Sequence, residues 1–180
     1  IAAGDTTGTI TIANIVDDTT DETDETVIIT LSSPSNASLG SDKVHTYTIT
    51  DDDDQPEISF NVTTSSGSES ISSTAITVDL SSASSSDITV NYAVSGSAVG
   101  SGTDYTLADG TLTINAGETS ATIIITGIID DLSSEGNETV IITLSTPSNA
   151  ILGDDRVHTY TINDNDGTPT VSFSEITSNN

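Results

Sequence analysis

Cysteine, methionine and tryptophan are missing from this chain of 180 residues. Without cysteine there is no disulfide to staple the fold and no thiol chemistry. With only four tyrosines and two phenylalanines besides, the core has to be built from Ile, Val and Leu. Basic side chains are as scarce: Lys43 and Arg156 stand against 28 acidic residues, for a formal net charge of -26. A field of that sign repels nucleic acid and anionic lipid and gathers cations, so neither a nucleic-acid partner nor direct membrane insertion is expected. No apolar run approaches the roughly 18 residues of a membrane span, and Ile1 opens on a strand pattern instead of a signal peptide. This composition suggests a protein that works outside the cell or at its surface.

What the chain does have is a copy of itself. A shift of 113 residues carries Ile1-Ala-Ala-Gly-Asp5 onto Ile114-Asn-Ala-Gly-Glu118, Glu25 to Ser32 onto the identical Glu138 to Ser145, and Val44 to Ile49 onto the identical Val157 to Ile162. A period of domain size means modules in tandem. Residues 56–113 have almost no counterpart, except that Pro56-Glu-Ile-Ser-Phe60 returns as Pro169-Thr-Val-Ser-Phe173. The expected organisation is therefore the C-terminal half of one module over 1–55, a complete module over 56–167, and the first strand of a following module over 168–180.

Period-two alternation between Ser, Gly, Asp and Asn clusters makes the chain all-β. The expected strands of the complete module are Ile58 to Val62, Ile76 to Leu80, Ile88 to Val94, Thr111 to Ile114, Thr122 to Thr126, Val140 to Leu144 and His158 to Ile162. Seven strands in about 110 residues is the count of an immunoglobulin-like antiparallel sandwich. Ile123 to Ile125 and Val140 to Ile142 are apolar on both faces and are assigned to central strands. The serine-rich stretches Ser65 to Ser68 and Ser81 to Ser86 read as flexible turns, and His45 and His158 as a recurring strand-surface feature.

The carboxylates gather at strand ends. In the complete module they are Glu69, Asp104, Asp130 and Asp131, Glu135 and Glu138, and Asp164 and Asp166; the first copy has Asp17, Asp18, Glu22, Glu25 and the run Asp51, Asp52, Asp53, Asp54. In an antiparallel sandwich, loops separated by an even number of strands leave from the same end, so these groups are expected to converge. Two ionised carboxylates about 4 Å apart repel by about 4 kcal/mol at a surface-like dielectric, enough in combination to overwhelm a small module unless a cation neutralises them. Calcium suits such loops, because it takes about six to eight oxygens in flexible geometry. Zinc and copper would want a His or Cys cluster that is not here.

At these residues the chain resembles the Calx-beta family. Gly102-Thr-Asp-Tyr105, Gly110 to Glu118, Ile128-Ile-Asp-Asp131, Glu135-Gly-Asn-Glu138 and the acidic end at Asp164 follow that family's order and spacing. The resemblance implies seven-stranded sandwiches and, in calcium-binding members, ions held in loops at one tip. It makes Glu69, Asp104, Asp130, Asp131, Glu135, Glu138, Asp164 and Asp166 candidate Ca2+ ligands. Asn165 and Asn137 stand where the family often has aspartate, which implies fewer or weaker ions in the complete module than at Asp51 to Asp54. Similar acidic arrays occur in large bacterial surface proteins, so the expected role is a calcium-stiffened stalk. Its partners would be the neighbouring modules, with any host surface contacted through other parts of the parent protein.

Other readings stay open. Asp and Asn favour turns for backbone reasons alone, so the acidic loops could be solvated turns. A calcium sensor, a glycan- or protein-binding module and a strand-exchanging filament subunit are the rival functions. Asp164-Asn-Asp-Gly167 begins like an EF-hand loop but lacks its later bidentate glutamate. Catalysis is not expected, for want of any assembled set of acid, base and nucleophile.

Overall fold

A computed structural model describes residues 1–18 and 20–174. Their regular structure is entirely strand. Segment 1–55 carries β1 (Glu25–Thr30) and β2 (Val44–Ile49) as a two-stranded antiparallel ladder. The remainder forms β3 (Glu57–Phe60), β4 (Thr64–Ser68), β5 (Ser73–Leu80), β6 (Ile88–Gly96), β7 (Gly110–Ile114), β8 (Ser120–Thr126), β9 (Glu138–Ser148), β10 (Ile151–Leu152) and β11 (Val157–Asn163). They make two sheets, in the orders β10-β3-β5-β8 and β4-β11-β9-β6-β7.

The core between these sheets follows from alternation. Along β5, Ile76, Val78 and Leu80 point inward, and β9 buries Val140, Ile142 and Leu144 at the same spacing. Ile58, Phe60, Ile88, Val90, Ile125 and Tyr160 close the cluster. Each such side chain contributes about 1.5–3 kcal/mol on burial, which is how a module without disulfides holds together. The β7 to β8 reversal runs over Asn115–Glu118, where the Glu118 N–H donates to the Asn115 carbonyl at 2.9 Å. Gly117 takes φ 80° there, a conformation that other L-residues resist.

All seven expected strands are present, and two more join them. The serine-rich stretch after Val62 is strand and not a flexible turn: the chain leaves one sheet after Phe60 and enters the other as β4, parallel to β11, with Ser65 opposite Tyr160 and Ser68 opposite Asn163. The two-residue β10 pairs with β3. The assignment of Ile123 to Ile125 to a central strand is corrected, because β8 lies at the edge of its sheet. Ile123 and Ile125 face the core while Ile124 is 52% exposed. Val140 to Ile142 does lie in a central strand, between β11 and β6.

His158 is also corrected, from a surface feature to a fully buried one. Its Nε2 and the Ser65 hydroxyl are 2.8 Å apart, its Nδ1 lies 2.6 Å from the Val62 carbonyl, and its ring packs at 5.4 Å from that of Phe60. A buried imidazole is tolerable because both nitrogens are partnered. It ties the strand that switches sheets to β11. Of the expected third-module strand, residues 175–180 lie outside the described residues. Residues 168–174 form no strand, and Val171 and Phe173 are 99% and 90% exposed with no ladder beside them.

Gly67 on β4 sits over the phenol of Tyr160, so that a Cβ added there would collide with Tyr160 Oη and approach Ile71 Cδ1 to 2.9 Å. Gly67→Ala is expected to destabilise the complete module by about 1–3 kcal/mol, the usual cost of overpacking. Gly136→Ala, with open space around it, is the matched control. Urea unfolding of the two variants checks the difference.

Candidate metal centre

Strand pairing explains why the acidic loops meet. Ser73 at the start of β5 pairs with Thr126 at the end of β8, Glu138 at the start of β9 pairs with Ile162 near the end of β11, and Gly96 at the end of β6 pairs with Val140. Ser68 at the end of β4 lies beside Asn163. The segments holding Glu69, Asp104, Asp130 to Glu138 and Asp164 to Asp166 therefore all leave the sandwich from one end, as the sequence led one to expect.

One carboxylate oxygen each from Glu69, Asp164 and Asp166 come within 4.8 Å of one another. Glu69 is buried at 8% exposure, the others half-buried. Its Oε1 accepts the Asn165 N–H at 3.3 Å, which fixes the side chain toward the acidic loop. Beside this trio a small pocket of about 20 Å³, roughly the room for one water or ion, is lined by Glu69, Asp104, Asp131, Glu135, Glu138 and Asp164. Asp130 closes the group by accepting from Asn165 Nδ2 at 3.1 Å. All the candidate ligands of the complete module thus lie together.

The loops are braced by their own carboxylates. Asp164 Oδ2 accepts the Glu135 N–H at 2.9 Å, Asp131 Oδ1 accepts the Ser133 N–H at 2.6 Å, and Asn137 Oδ1 accepts the Asp164 N–H at 3.3 Å. Asp104 Oδ2 accepts the Val99 N–H at 2.6 Å, and buried Tyr105 anchors that loop. The first copy repeats the brace position for position. Asp51 Oδ2 accepts the Glu22 N–H at 3.1 Å, Asp18 Oδ1 accepts the Thr20 N–H at 2.8 Å, and Asp24 Oδ1 accepts the Asp51 N–H at 3.1 Å. Asp17, Asp18, Glu22, Glu25, Asp51, Asp52 and Asp53 line one cavity there.

Burial and mutual repulsion raise the proton affinity of these groups. Glu69 is pushed above the usual glutamate range by burial, opposed by the Asn165 N–H and reinforced by Asp164, Asp166 and Asp130. Burial raises Glu138 as well, with Asp104 near enough to share a proton and Glu135 and Glu69 adding charge. Asp166 rises through burial and then through Asp164, Asp130 and Asp131. In the first copy Glu22 and Asp53 shift the same way, through partial desolvation in the loop and then through neighbouring carboxylates, although Glu22 itself is exposed. Among the described residues, Asp166 Oδ2 is buried with no hydrogen-bond partner. An all-oxygen donor set, an unsatisfied carboxylate oxygen and ion-sized room fit a hard divalent cation.

Sequence reasoning treated Asn165 and Asn137 only as missing carboxylates. The structure makes both cross-links: Asn165 Nδ2 also reaches Ser68 Oγ at 3.2 Å, and Asn137 Nδ2 reaches Asn163 Oδ1 at 3.1 Å. An amide can donate to a neighbour where a carboxylate can only repel, but nothing in a lone Asn codon position announces the partner.

A tandem sandwich module with a carboxylate-rich loop tip is the class that this fold and site define. The chain belongs to the Calx-beta domain family, whose profile matches residues 2–53 and 51–166. Among solved structures it is similar to the apo-form Calx CBD1 domain, at 24% identity and TM-score 0.56 over 63% of this chain and 100% of that one. The calcium binding domain CBD12 of CALX1.1 matches at 24% identity and TM-score 0.56 over 61% of this chain and 46% of that one. The Calx CBD2 domain follows at 15% identity and TM-score 0.54, over 60% of this chain and 86% of that one. At such identities the likeness is one of fold. No curated protein matches the chain.

Raised carboxylate pKa values fix the sign of the metal-free pH response. Protons bind these groups more tightly folded than unfolded, so the stability they contribute is full below the ordinary carboxylate range and is lost as pH climbs through the raised values. In metal-free buffer the complete module is expected to melt at a higher temperature at pH 5 than at pH 7. Differential scanning calorimetry of the chain after metal stripping checks this; a lower midpoint at pH 5 would refute it.

Proposed function

We propose that this chain is a calcium-rigidified spacer from the stalk of a large secreted or cell-surface protein of the bacterial adhesin type, and that it is not an enzyme. The observation that carries the reading is the recurrence of one carboxylate brace at both tips, the first of them set at a joint between units. Asp21, in the acidic loop of segment 1–55, forms a parallel bridge with Ser84, and its carbonyl accepts the Ser85 N–H at 3.3 Å and the Ser85 hydroxyl at 3.1 Å. Ser84 and Ser85 belong to the β5 to β6 loop, at the end of the sandwich opposite its own acidic tip. The units therefore follow one another tip to base.

Cations that quiet the repulsion among Asp17, Asp18, Glu22 and Asp51 to Asp53 would order the loop that makes this joint. Metal bound to the folded tip stabilises it by mass action, about 2.7 kcal/mol at a hundredfold excess over Kd. Kinship with the Calx-beta family, and the fold shared with a solved calcium binding domain, favour calcium as that ion. The neighbouring modules are the partners on this reading, and adhesive contact lies in other parts of the parent protein. The chain has four tyrosines, two phenylalanines and no tryptophan, which leaves few residues from which an aromatic platform for a glycan could be built.

Calcium at millimolar concentration is expected to raise the melting temperature of the complete module at pH 7, and magnesium far less. Glu69→Gln and Asp164→Asn should each weaken calcium binding at least tenfold by isothermal calorimetry while keeping the strand content. A spacer outside the cell binds near the millimolar range, whereas a sensor binds in the micromolar range. Melting that ignores both calcium and chelator would overturn the proposal.

A further inference from the structure

Asn165 stands between two carboxylates and does what neither can. Its side-chain nitrogen donates to Asp130 Oδ1 at 3.1 Å and to Ser68 Oγ at 3.2 Å, and its backbone N–H donates to Glu69 Oε1 at 3.3 Å. Chemistry fixes the orientation of the amide, because an ionised Asp130 can only accept and so must face the nitrogen. Both amide hydrogens are spent. One residue thereby ties together the end of β4, the loop after β8 and the loop after β11. A hard cation in such a tip does the same work, drawing acceptor oxygens from separate loops onto one centre.

The repeat shows what the amide replaces. One period earlier, Asp52 and Asp17 stand where Asn165 and Asp130 stand here. Two ionised carboxylates hold no donor between them, so a cation or a shared proton has to join such a pair. Asn165 leaves the remaining acids for an ion. Glu69, Asp164 and Asp166 still bring one oxygen each within 4.8 Å of one another, and among the described residues Asp166 Oδ2 has no hydrogen-bond partner. We propose that Asn165 sets the ion demand of this tip: its amide holds the loops together as a cation would, so the tip is tied before any ion arrives and binds one calcium fewer than an aspartate at this position would allow. The tie needs no metal, and the ion count rests on the calcium reading above. A joint built on such a tip keeps part of its order when calcium falls.

Asn165→Asp and Asn165→Leu in the full chain test this. Leucine is close to asparagine in size and removes the donors without adding charge, which separates the tie from simple repulsion. In chelator at pH 7, Asn165→Asp should melt at least about 4 °C below the unaltered chain, with Asn165→Leu between the two. Hydrogen exchange in chelator should be at least tenfold faster in loop 127–137 of Asn165→Leu, with β6 and β9 unchanged. By calorimetry Asn165→Asp should bind about one further calcium per chain and Asn165→Leu none, the first tip contributing equally to all three. If Asn165→Leu melts and exchanges in chelator like the unaltered chain, the tie is overturned. Equal calcium stoichiometry in the unaltered chain and Asn165→Asp overturns the assigned ion count alone. Absence of calcium binding in all three chains overturns the calcium reading and the ion count with it.

Discussion

Repulsion among carboxylates gathered at one end of a small sandwich is the constraint on which the rest of this structure depends. Glu69, Asp164 and Asp166 approach within 4.8 Å, and Asp104, Asp130, Asp131, Glu135 and Glu138 crowd around them. Most of the module answers to that crowding. Backbone N–H groups of Glu135, Asn165 and Asp166 are turned onto the acids, and Asn165 and Asn137 cross-link the loops with amide donors. These contacts orient the carboxylates without neutralising them, since two residues of the chain carry a basic side chain that is cationic at neutral pH, Lys43 and Arg156. The charge balance has to come from solution.

The sandwich supplies the rigidity that makes such a tip usable. Six strands end or begin at the acidic end, and their register is fixed by the apolar alternation of β5, β9 and β11, because a slip of one residue would turn Ile142 and Tyr160 out to water. Buried His158 locks β4, which carries the chain toward Glu69, onto β11, which carries it to Asp164. The tip is thus held by the core, and the core by a pattern of small aliphatic residues repeated in both copies. Segment 1–55 has the same brace at its tip and no comparable core, which separates the two contributions within one chain.

Much of this was legible in the sequence. Strict alternation at Ile76-Thr-Val-Asp-Leu80 and at His158-Thr-Tyr-Thr-Ile162 announces half-buried strands, and a 113-residue self-match announces the module. The convergence of the acids followed from loop parity. What was hidden has physical reasons. β4 reads Thr-Ser-Ser-Gly-Ser and has no apolar face; it is strand because β11 offers a free edge, which is a tertiary fact. His158 looks like its exposed counterpart His45 until Ser65 and Val62 are brought against it, and only the complete module has them. The three isoleucines of β8 imitate a strand buried on both faces, yet Ile124 tolerates exposure at the edge of a sheet. In each case local pattern was overridden by neighbours distant in sequence.

The stalk role proposed above requires joints that stiffen, and placing charge at the joint would make stiffness depend on the ionic medium. The Asp21 to Ser85 contact sets one acidic loop against the base of the following unit, so that ordering the loop and orienting the unit become a single event. The most direct measurement is anomalous difference density from a crystal of this chain grown in millimolar calcium chloride. The account predicts a peak among Glu69, Asp164 and Asp166 with oxygens at about 2.3–2.6 Å. Water alone at that place, at hydrogen-bonding distances, would contradict it.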